Sequence, residues 1–249
     1  MSLRTVEAEL DGRRVRWRET GSGDVVVVIP GLGLTGRFYA GNATAFAAAG
    51  FRFIVPDLPG LGGTRGARTG IGVQEMARFT RQFLDLLAVQ RAHLIGHSLG
   101  AQAALHVAAH AAARVHAIVL VGPTGTHERR LARIGHQIIG LGREALGAPW
   151  PVIGTVARDY VRVSPAAYLG TWLRSSADDP LAYAARVASP ALLAVGTRDP
   201  VSQRGFVEML ATTMPNAQIA WIDGGGHALP RDCASGFNTA AITFLRACG

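Results

Sequence analysis

The chain has 249 residues, of which 49% are apolar and 17% are charged, and this balance excludes an intrinsically disordered chain. Its formal net charge is +8, and every basic residue is an arginine. Because the arginines are spread along the whole chain, the charge argues against a nucleic-acid-binding protein, whose basic residues would cluster among aromatic ones.

The first part of the chain alternates predicted strands with predicted helices. Residues 3–20 predict two alternating strands joined at Asp11 and Gly12, which is typical of a hairpin. Four arginines lie along the second strand, and we expect them to protect an exposed sheet edge: Arg13, Arg14, Arg16 and Arg18. Short, mainly apolar runs predict further strands at 25–29, 52–55, 92–96 and 115–121. Helical spacing or alanine content predicts helices at 74–89 and 99–112.

A long insert then interrupts this alternation. Residues 124–186 contain no strand-like run, and glycines and prolines divide them into short predicted helices. Strands are predicted again at 191–195 and 218–222, and helices at 203–212 and 235–247. The order predicts an α/β fold: a mostly parallel sheet with an N-terminal antiparallel hairpin, helices on both faces and a helical lid. We expect residues 1–123 and 187–249 to form the core domain and 124–186 the lid.

The sequence Gly96-His97-Ser98-Leu99-Gly100 fits the G-x-S-x-G pattern of a nucleophile elbow. The pattern by itself is weak, since a glycine-rich chain matches it by chance about 0.1 times. Its position between a predicted strand and a predicted helix is the setting that the elbow requires. A serine in such a turn holds its hydroxyl above the sheet, so Ser98 is the predicted nucleophile.

A serine nucleophile needs a base, and the base needs an acid that orients it. Of the eight histidines, only His227 follows the last predicted strand, so we expect it to be the base. Asp199 follows the preceding strand and is the favoured acid, with Asp223 second. Asp57 also follows a strand, but an earlier one.

Together these residues resemble the α/β-hydrolase superfamily over nearly the whole chain. The segment from Asp57 to Thr64 is similar to the D-x-x-G-x-G-x-S loop of that family, with threonine at the serine position, and the insert lies where the family has its lid. The resemblance implies an oxyanion hole at the amides of Leu32 and Leu99. Two departures are Pro30-Gly31 in place of His-Gly, and the absence of the H-x-x-x-x-E ending after His227.

Two other patterns in the sequence compete with this interpretation. Residues 31–36 fit G-x-G-x-x-G with Asp57 about 20 residues later, as in dinucleotide-binding proteins, but the hairpin precedes this strand and the pattern leaves the elbow unexplained. His106 and His110 have the spacing of zinc ligands but lack the glutamate of H-E-x-x-H and a third ligand. We therefore expect neither a cofactor nor a metal.

The expected substrate is a small to medium hydrophobic carboxylic ester, lactone or thioester, because a lid over an elbow usually lines an apolar pocket. Substrate contacts are predicted for Gly31, whose missing side chain lets the backbone approach the acyl oxygen, and for Trp150 and Trp172 of the insert. The alternative is a C–C bond hydrolase of aromatic ring-fission products with the same triad. Further alternatives are a binding protein of the same fold and a haloperoxidase-like side activity.

The remaining features of the sequence concern the cysteines, membrane association and the cellular location of the protein. The two cysteines, Cys233 and Cys248, form neither a disulfide framework nor a metal spacing. The start of the chain lacks the apolar segment of a signal peptide, and no apolar run reaches the roughly 20 residues of a membrane span. We expect a cytoplasmic monomer or homodimer without nucleic-acid or membrane partners.

Overall fold

A computed structural model describes residues 3–66, 68–125 and 163–249, together with single positions at 135, 139, 140, 142, 143, 146, 154, 157 and 159. Its sheet has eight strands among these residues. They are β1 (Arg4–Leu10), β2 (Arg13–Thr20), β3 (Asp24–Ile29), β4 (Phe51–Pro56), β5 (Ala92–His97), β6 (Val115–Val121), β7 (Ala191–Gly196) and β8 (Ala217–Ile222).

The described helices, numbered in chain order, connect and follow these strands. They are α1 (Ala40–Ala48), α2 (Val73–Leu86), α3 (Leu99–His110), α4 (Pro165–Ser175), α5 (Leu181–Ala184), α6 (Arg204–Thr213), α7 (Leu229–Asp232) and α8 (Ala234–Arg246), with a short 3₁₀ turn at Ala112–Arg114.

The sheet order is β1-β2-β4-β3-β5-β6-β7-β8. Strand β2 pairs antiparallel with β1 and β4, and all other neighbours are parallel. Apolar residues of α2, α3 and α6 are buried against one face, and those of α1 and α8 against the other. The predicted α/β fold with an N-terminal hairpin is therefore confirmed. The carboxyl ends of β3, β5, β7 and β8 lie at one edge, where ligands bind in open parallel sheets.

Helix α1 was not predicted. Its alanines surround the helix instead of forming one apolar stripe, so the spacing that marks an amphipathic helix is absent. Only Asn42, Ala43 and Phe46 are buried within it, with Phe46 packed on Phe53 of β4 and Phe237 of α8. Tertiary packing, rather than its own sequence pattern, accounts for this helix.

The expectation that the β2 arginines protect a sheet edge is wrong, because β1 covers that edge. Two of them pair instead with Asp57, which is fully buried. The Arg16 guanidinium lies 2.8 Å from Asp57 Oδ2, and Arg18 Nη1 lies 3.6 Å from Oδ1. Through these contacts the two arginines tie the loop after β4 to the hairpin.

The predicted lid is only partly within the described residues. Helices α4 and α5 belong to it, and so does Asp159, which is fully buried. The carboxylate of Asp159 accepts hydrogen bonds from the main-chain N–H and the hydroxyl of Thr35, both at 2.9 Å. This contact joins the insert to the loop after β3. In the described part of the chain, every helix is too short or too polar to cross a bilayer, and the cytoplasmic location stays a prediction.

Candidate active site

Ser98 occupies the turn between β5 and α3 with a backbone conformation that side chains rarely adopt. Its φ is 55° and its ψ is −114°, and such a conformation costs about 1–3 kcal/mol and persists mainly at functional sites. Glycines on either side make the turn possible. A side-chain carbon at Gly96 would collide with the main chain of Gly100, and one at Gly100 would collide with the carbonyl oxygen of Ile29. The elbow therefore presents the Ser98 hydroxyl above the carboxyl edge of the sheet.

The structure brings the three predicted catalytic side chains together. His227 Nε2 lies 2.9 Å from Ser98 Oγ, and His227 Nδ1 lies 2.9 Å from Asp199 Oδ2. Each residue follows a different strand, β5, β7 or β8. Both distances are normal for hydrogen bonds. The arrangement has the order hydroxyl, imidazole, carboxylate that activates a serine.

Asp199 is held as an anion by its surroundings. Its second oxygen, Oδ1, accepts hydrogen bonds from the amides of Val201 at 2.8 Å and Ser202 at 3.0 Å. Burial alone would raise the pKa of Asp199, but His227 and these two amides together hold it well below its ordinary value. A carboxylate that stays charged at neutral pH is suited to stabilise a protonated imidazole.

The two other candidate acids are placed elsewhere. Asp223 is exposed, and its Oδ1 accepts a hydrogen bond from the Thr197 hydroxyl at 3.2 Å. Asp57 is paired with arginines, as described above, and also accepts from the amide of Gly63 at 2.8 Å. The geometry therefore favours Asp199 over both.

Gly122 was not singled out from the sequence, although it lies directly behind the acid and the base. Its φ is 51°, and a side-chain carbon there would lie 3.1 Å from both Asp199 Oδ2 and His227 Nδ1. Such an approach is tighter than ordinary van der Waals contact. Any larger residue would press on the hydrogen bond between the two.

A second hydrogen-bond chain, also missed from the sequence, runs beneath the site through His97 and Tyr39. The Gly31 amide donates to the Tyr39 hydroxyl at 3.3 Å, and that hydroxyl lies 2.9 Å from His97 Nδ1. His97 Nε2 lies 3.0 Å from the carbonyl oxygen of His227. Both rings are fully buried. The chain links the loop after β3 to the loop that carries the base.

The partners of His97 determine its protonation. A carbonyl oxygen can only accept, so Nε2 carries the proton and Nδ1 accepts from the tyrosine hydroxyl. Burial, assisted by the neighbouring His227, lowers the pKa of His97 to about 3, so the ring is neutral. Its ring nitrogens contact Tyr39 and the His227 main chain rather than Ser98. Its contact with the His227 main chain was not expected.

A cavity of about 90 Å³ adjoins the nucleophile. Of the residues predicted to bind substrate, Gly31 and Trp172 line it, whereas Trp150 lies outside the described residues. Leu32 and Leu99, the predicted oxyanion residues, line it too. Neither of their main-chain amides donates a hydrogen bond to another described residue, so both are available to a ligand.

The structure also places the two competing motifs of the sequence, the glycine loop at residues 31–36 and the pair His106 and His110. Helix α1 begins four residues after the last glycine of the 31–36 loop, and a side-chain carbon at Gly31 would lie 3.5 Å from the side chain of Ser98. That loop therefore approaches the nucleophile. The rings of His106 and His110 stack at 4.1 Å beside Tyr183. The described positions hold no group of three or more histidines, cysteines or carboxylates arranged to bind a metal.

Comparisons with known proteins agree with this architecture. A family model described as the alpha/beta hydrolase fold matches residues 24–137. The enol-lactonase of Burkholderia xenovorans LB400 superposes with a TM-score of 0.82 at 20% identity, covering 97% of this chain and all of that one. The bromoperoxidase of Bacillus anthracis gives 0.86 at 20% identity, with 98% and 100% coverage. At this level of identity, the structural similarity shows the fold.

A curated relative is similar over less than half of the chain. The 2-hydroxy-6-oxononadienedioate/2-hydroxy-6-oxononatrienedioate hydrolase of Paraburkholderia phymatum is 37% identical over 115 residues, which are 44% of this chain and 40% of that protein. The chain spans less than half the length of several such relatives. With its strand order and its elbow, the chain has the α/β-hydrolase fold.

Proposed function

We propose that the chain is a serine-dependent hydrolase of a small to medium hydrophobic carboxylic ester, lactone or thioester. The observation that carries the proposal is the pair of 2.9 Å contacts that join Ser98, His227 and Asp199. They link a strained, half-buried serine to a buried base and a charged acid. A purely structural serine needs neither the strain nor these partners.

The reaction then follows from the geometry. Ser98 Oγ attacks the carbonyl carbon while His227 Nε2 takes its proton, and Asp199 stabilises the imidazolium. The amides of Leu32 and Leu99 bind the negative oxygen. Loss of one such donor typically costs a factor of about 10²–10³ in rate. The imidazolium protonates the leaving alcohol or thiol, and a water activated by the same base releases the acyl group.

We propose that residues 124–186 form a lid over this site. Tyr168 and Trp172 of α4 line the cavity beside Ser98, and Asp159 anchors the insert to Thr35. A covered, mainly apolar pocket limits the access of bulk water to the reacting groups. Gly31, Trp172 and Trp150 remain the proposed substrate contacts.

The decisive experiment is labelling with a fluorophosphonate probe followed by peptide mapping. We expect modification at Ser98 alone and none in Ser98→Ala. We also expect turnover of p-nitrophenyl esters of short to medium chain length, with a fall of about 10⁴ or more in kcat for Ser98→Ala. Labelling of another residue, or wild-type turnover by Ser98→Ala, contradicts the proposal.

A second candidate is hydrolysis of a C–C bond in a ring-fission product. It is favoured by the similarity to the 2-hydroxy-6-oxononadienedioate hydrolase described above. The same triad would serve, and the two reactions are distinguished by substrate. Turnover of a vinylogous 1,5-diketone acid at a higher kcat/KM than any p-nitrophenyl ester would favour this alternative.

A further inference from the structure

One part of the cavity beside Ser98 is polar. Gln102, Thr124 and Ser175 all line it, and each is less than 7% exposed. Gln102 lies on α3 one helical turn after Ser98, so their Cα atoms are about 6 Å apart along the axis. A polar group at this place is close to the carbonyl that Ser98 would attack.

The amide of Gln102 has a fixed orientation. Its Nε2 donates to the carbonyl oxygen of Thr124 at 2.9 Å and lies 3.2 Å from Thr124 Oγ1. Because a carbonyl oxygen cannot donate, reversing the amide would place two acceptors against each other. Oε1 is therefore the atom on the other side, and no described residue donates to it.

Ser175 adds a second unsatisfied group. Its Oγ is buried and has no hydrogen-bond partner among the described residues. Buried polar atoms are paired in the great majority of cases, and each exception requires an explanation. A wholly apolar ligand in this cavity would keep both atoms unpaired. A ligand that donates to Gln102 would pair at least one of them.

We propose that the substrate carries a hydroxyl group near its reacting carbonyl and that this hydroxyl donates to Gln102 Oε1. This inference rests on the proposed hydrolase function. A hydroxyl suits the site because it donates one hydrogen bond and accepts others. The hydroxyl of Thr124, whose oxygen already accepts from Gln102, keeps its own proton to donate.

The cavity also limits the size of the group that binds within it. Its volume of about 90 Å³ is below the roughly 150 Å³ of an engineered cavity that holds benzene. The group bound there is therefore short. The substrate class is an ester, lactone or thioester with a short hydroxylated chain on its acyl or its alcohol side.

The test compares matched pairs of esters that differ in one hydroxyl. On the acyl side, p-nitrophenyl 3-hydroxybutyrate is compared with p-nitrophenyl butyrate. On the alcohol side, 2-hydroxyethyl butyrate is compared with propyl butyrate, with acid release followed in a pH-stat. In at least one pair we expect the hydroxylated ester to have a kcat/KM about tenfold higher, the factor that one hydrogen bond contributes.

Substitution of Gln102 tests whether this residue causes the preference for the hydroxylated ester. Gln102→Met keeps the length of the side chain and removes the acceptor, so the ratio within the preferred pair is expected to fall to about one. Gln218→Met, an exposed position on β8, is the matched control and should keep the wild-type ratio. The 3-oxobutyrate ester accepts but cannot donate at its 3-position, so its kcat/KM should not fall in Gln102→Met.

The outcomes separate this inference from the function on which it rests. If plain butyrates are cleaved in a Ser98-dependent way but neither pair shows a preference, the hydrolase stands and the hydroxyl site is wrong. A preference that survives in Gln102→Met also overturns the site. If no ester is cleaved and no probe labels Ser98, both proposals fail.

Discussion

Asp199 and Asp223 lie on neighbouring loops, and only the first faces the base. We expect Asp199→Asn to lower kcat by about 10⁴, because an amide at this position favours the wrong imidazole tautomer and cannot stabilise the imidazolium. Steady-state kinetics on a p-nitrophenyl ester measure the change. Asp223→Asn is the matched control and should keep most of the activity. A crippled Asp223→Asn beside an active Asp199→Asn would reverse the assignment.

Tyr39 carries a hydroxyl that connects two functional loops. Tyr39→Phe removes the acceptor of the Gly31 amide and the donor to His97. Since Gly31 adjoins the proposed oxyanion residue Leu32, we expect kcat to fall about tenfold with a smaller change in KM, as is typical when transition-state contacts are weakened.

The control for Tyr39→Phe is a second buried tyrosine. Tyr183 donates to Asp178 at 2.6 Å, and neither residue lines the cavity beside Ser98. Tyr183→Phe should therefore lower the melting temperature without lowering kcat. If Tyr39→Phe behaves in the same way, the chain through His97 contributes to stability alone.

At the scale of elements, the elbow depends on how closely α3 approaches β3. Gly100→Ala places a carbon against the carbonyl of Ile29, and relief of that overlap requires the helix to move. We expect a loss of about 1–3 kcal/mol in the free energy of unfolding, as in other overpacked sites, and a parallel loss of activity. Denaturation in urea measures the first quantity.

Gly205 provides the matched glycine for this comparison. It lies in α6, is exposed and has no atom within 4 Å of an added side-chain carbon. Gly205→Ala should raise the free energy of unfolding by up to about 1 kcal/mol, because alanine favours a helix. Equal effects in the two variants would contradict the close approach at the elbow.

Local patterns account for most of the elements that could be predicted. The apolar runs of β3 and β6 and the spacing in α2 are visible within a few residues, so their ends fell within three residues of the structure. The elbow was visible because its motif is contiguous. The chosen acid followed from its place after a strand, which is a property of the chain order rather than of contacts.

Contacts between distant residues could not be predicted in this way. The pairing of Thr35 with Asp159, 124 residues apart, and of Asn42 with Pro230, 188 apart, depends on packing that no local pattern records. The same holds for the chain through Tyr39 and His97. The β2 arginines were misplaced because strand alternation does not tell whether a strand lies at an edge.

At the scale of the whole molecule, three of the histidines that the structure describes have a strongly lowered pKa in the folded state. Burial, assisted by neighbouring charges, lowers the pKa of His93 to about 4, of His97 to about 3 and of His106 to about 4. In the unfolded chain their pKa is near 6.5. Between pH 6.5 and about 4 the unfolded state therefore binds more protons than the folded state.

This difference gives the stability a predictable dependence on pH. Stability rises with pH wherever the unfolded state binds more protons. The contribution of these histidines to the free energy of unfolding is therefore fully present above pH 6.5. It is lost progressively as the pH falls towards 4. We expect unfolding at pH 5 to take up as many as three protons from this source, measured as the slope of the urea-derived free energy of unfolding against pH.

His93→Gln separates this effect from the general repulsion among the positive charges of an arginine-rich chain in acid. His93 is 1% exposed, and glutamine does not titrate, so the slope near pH 5 should fall by about one proton whatever the variant costs in absolute stability. Repulsion is nearly unchanged by this substitution and would leave the slope as it is. An unaltered slope in His93→Gln, or a flat profile of the wild type between pH 6.5 and 4, would mean that His93 is protonated in the folded state.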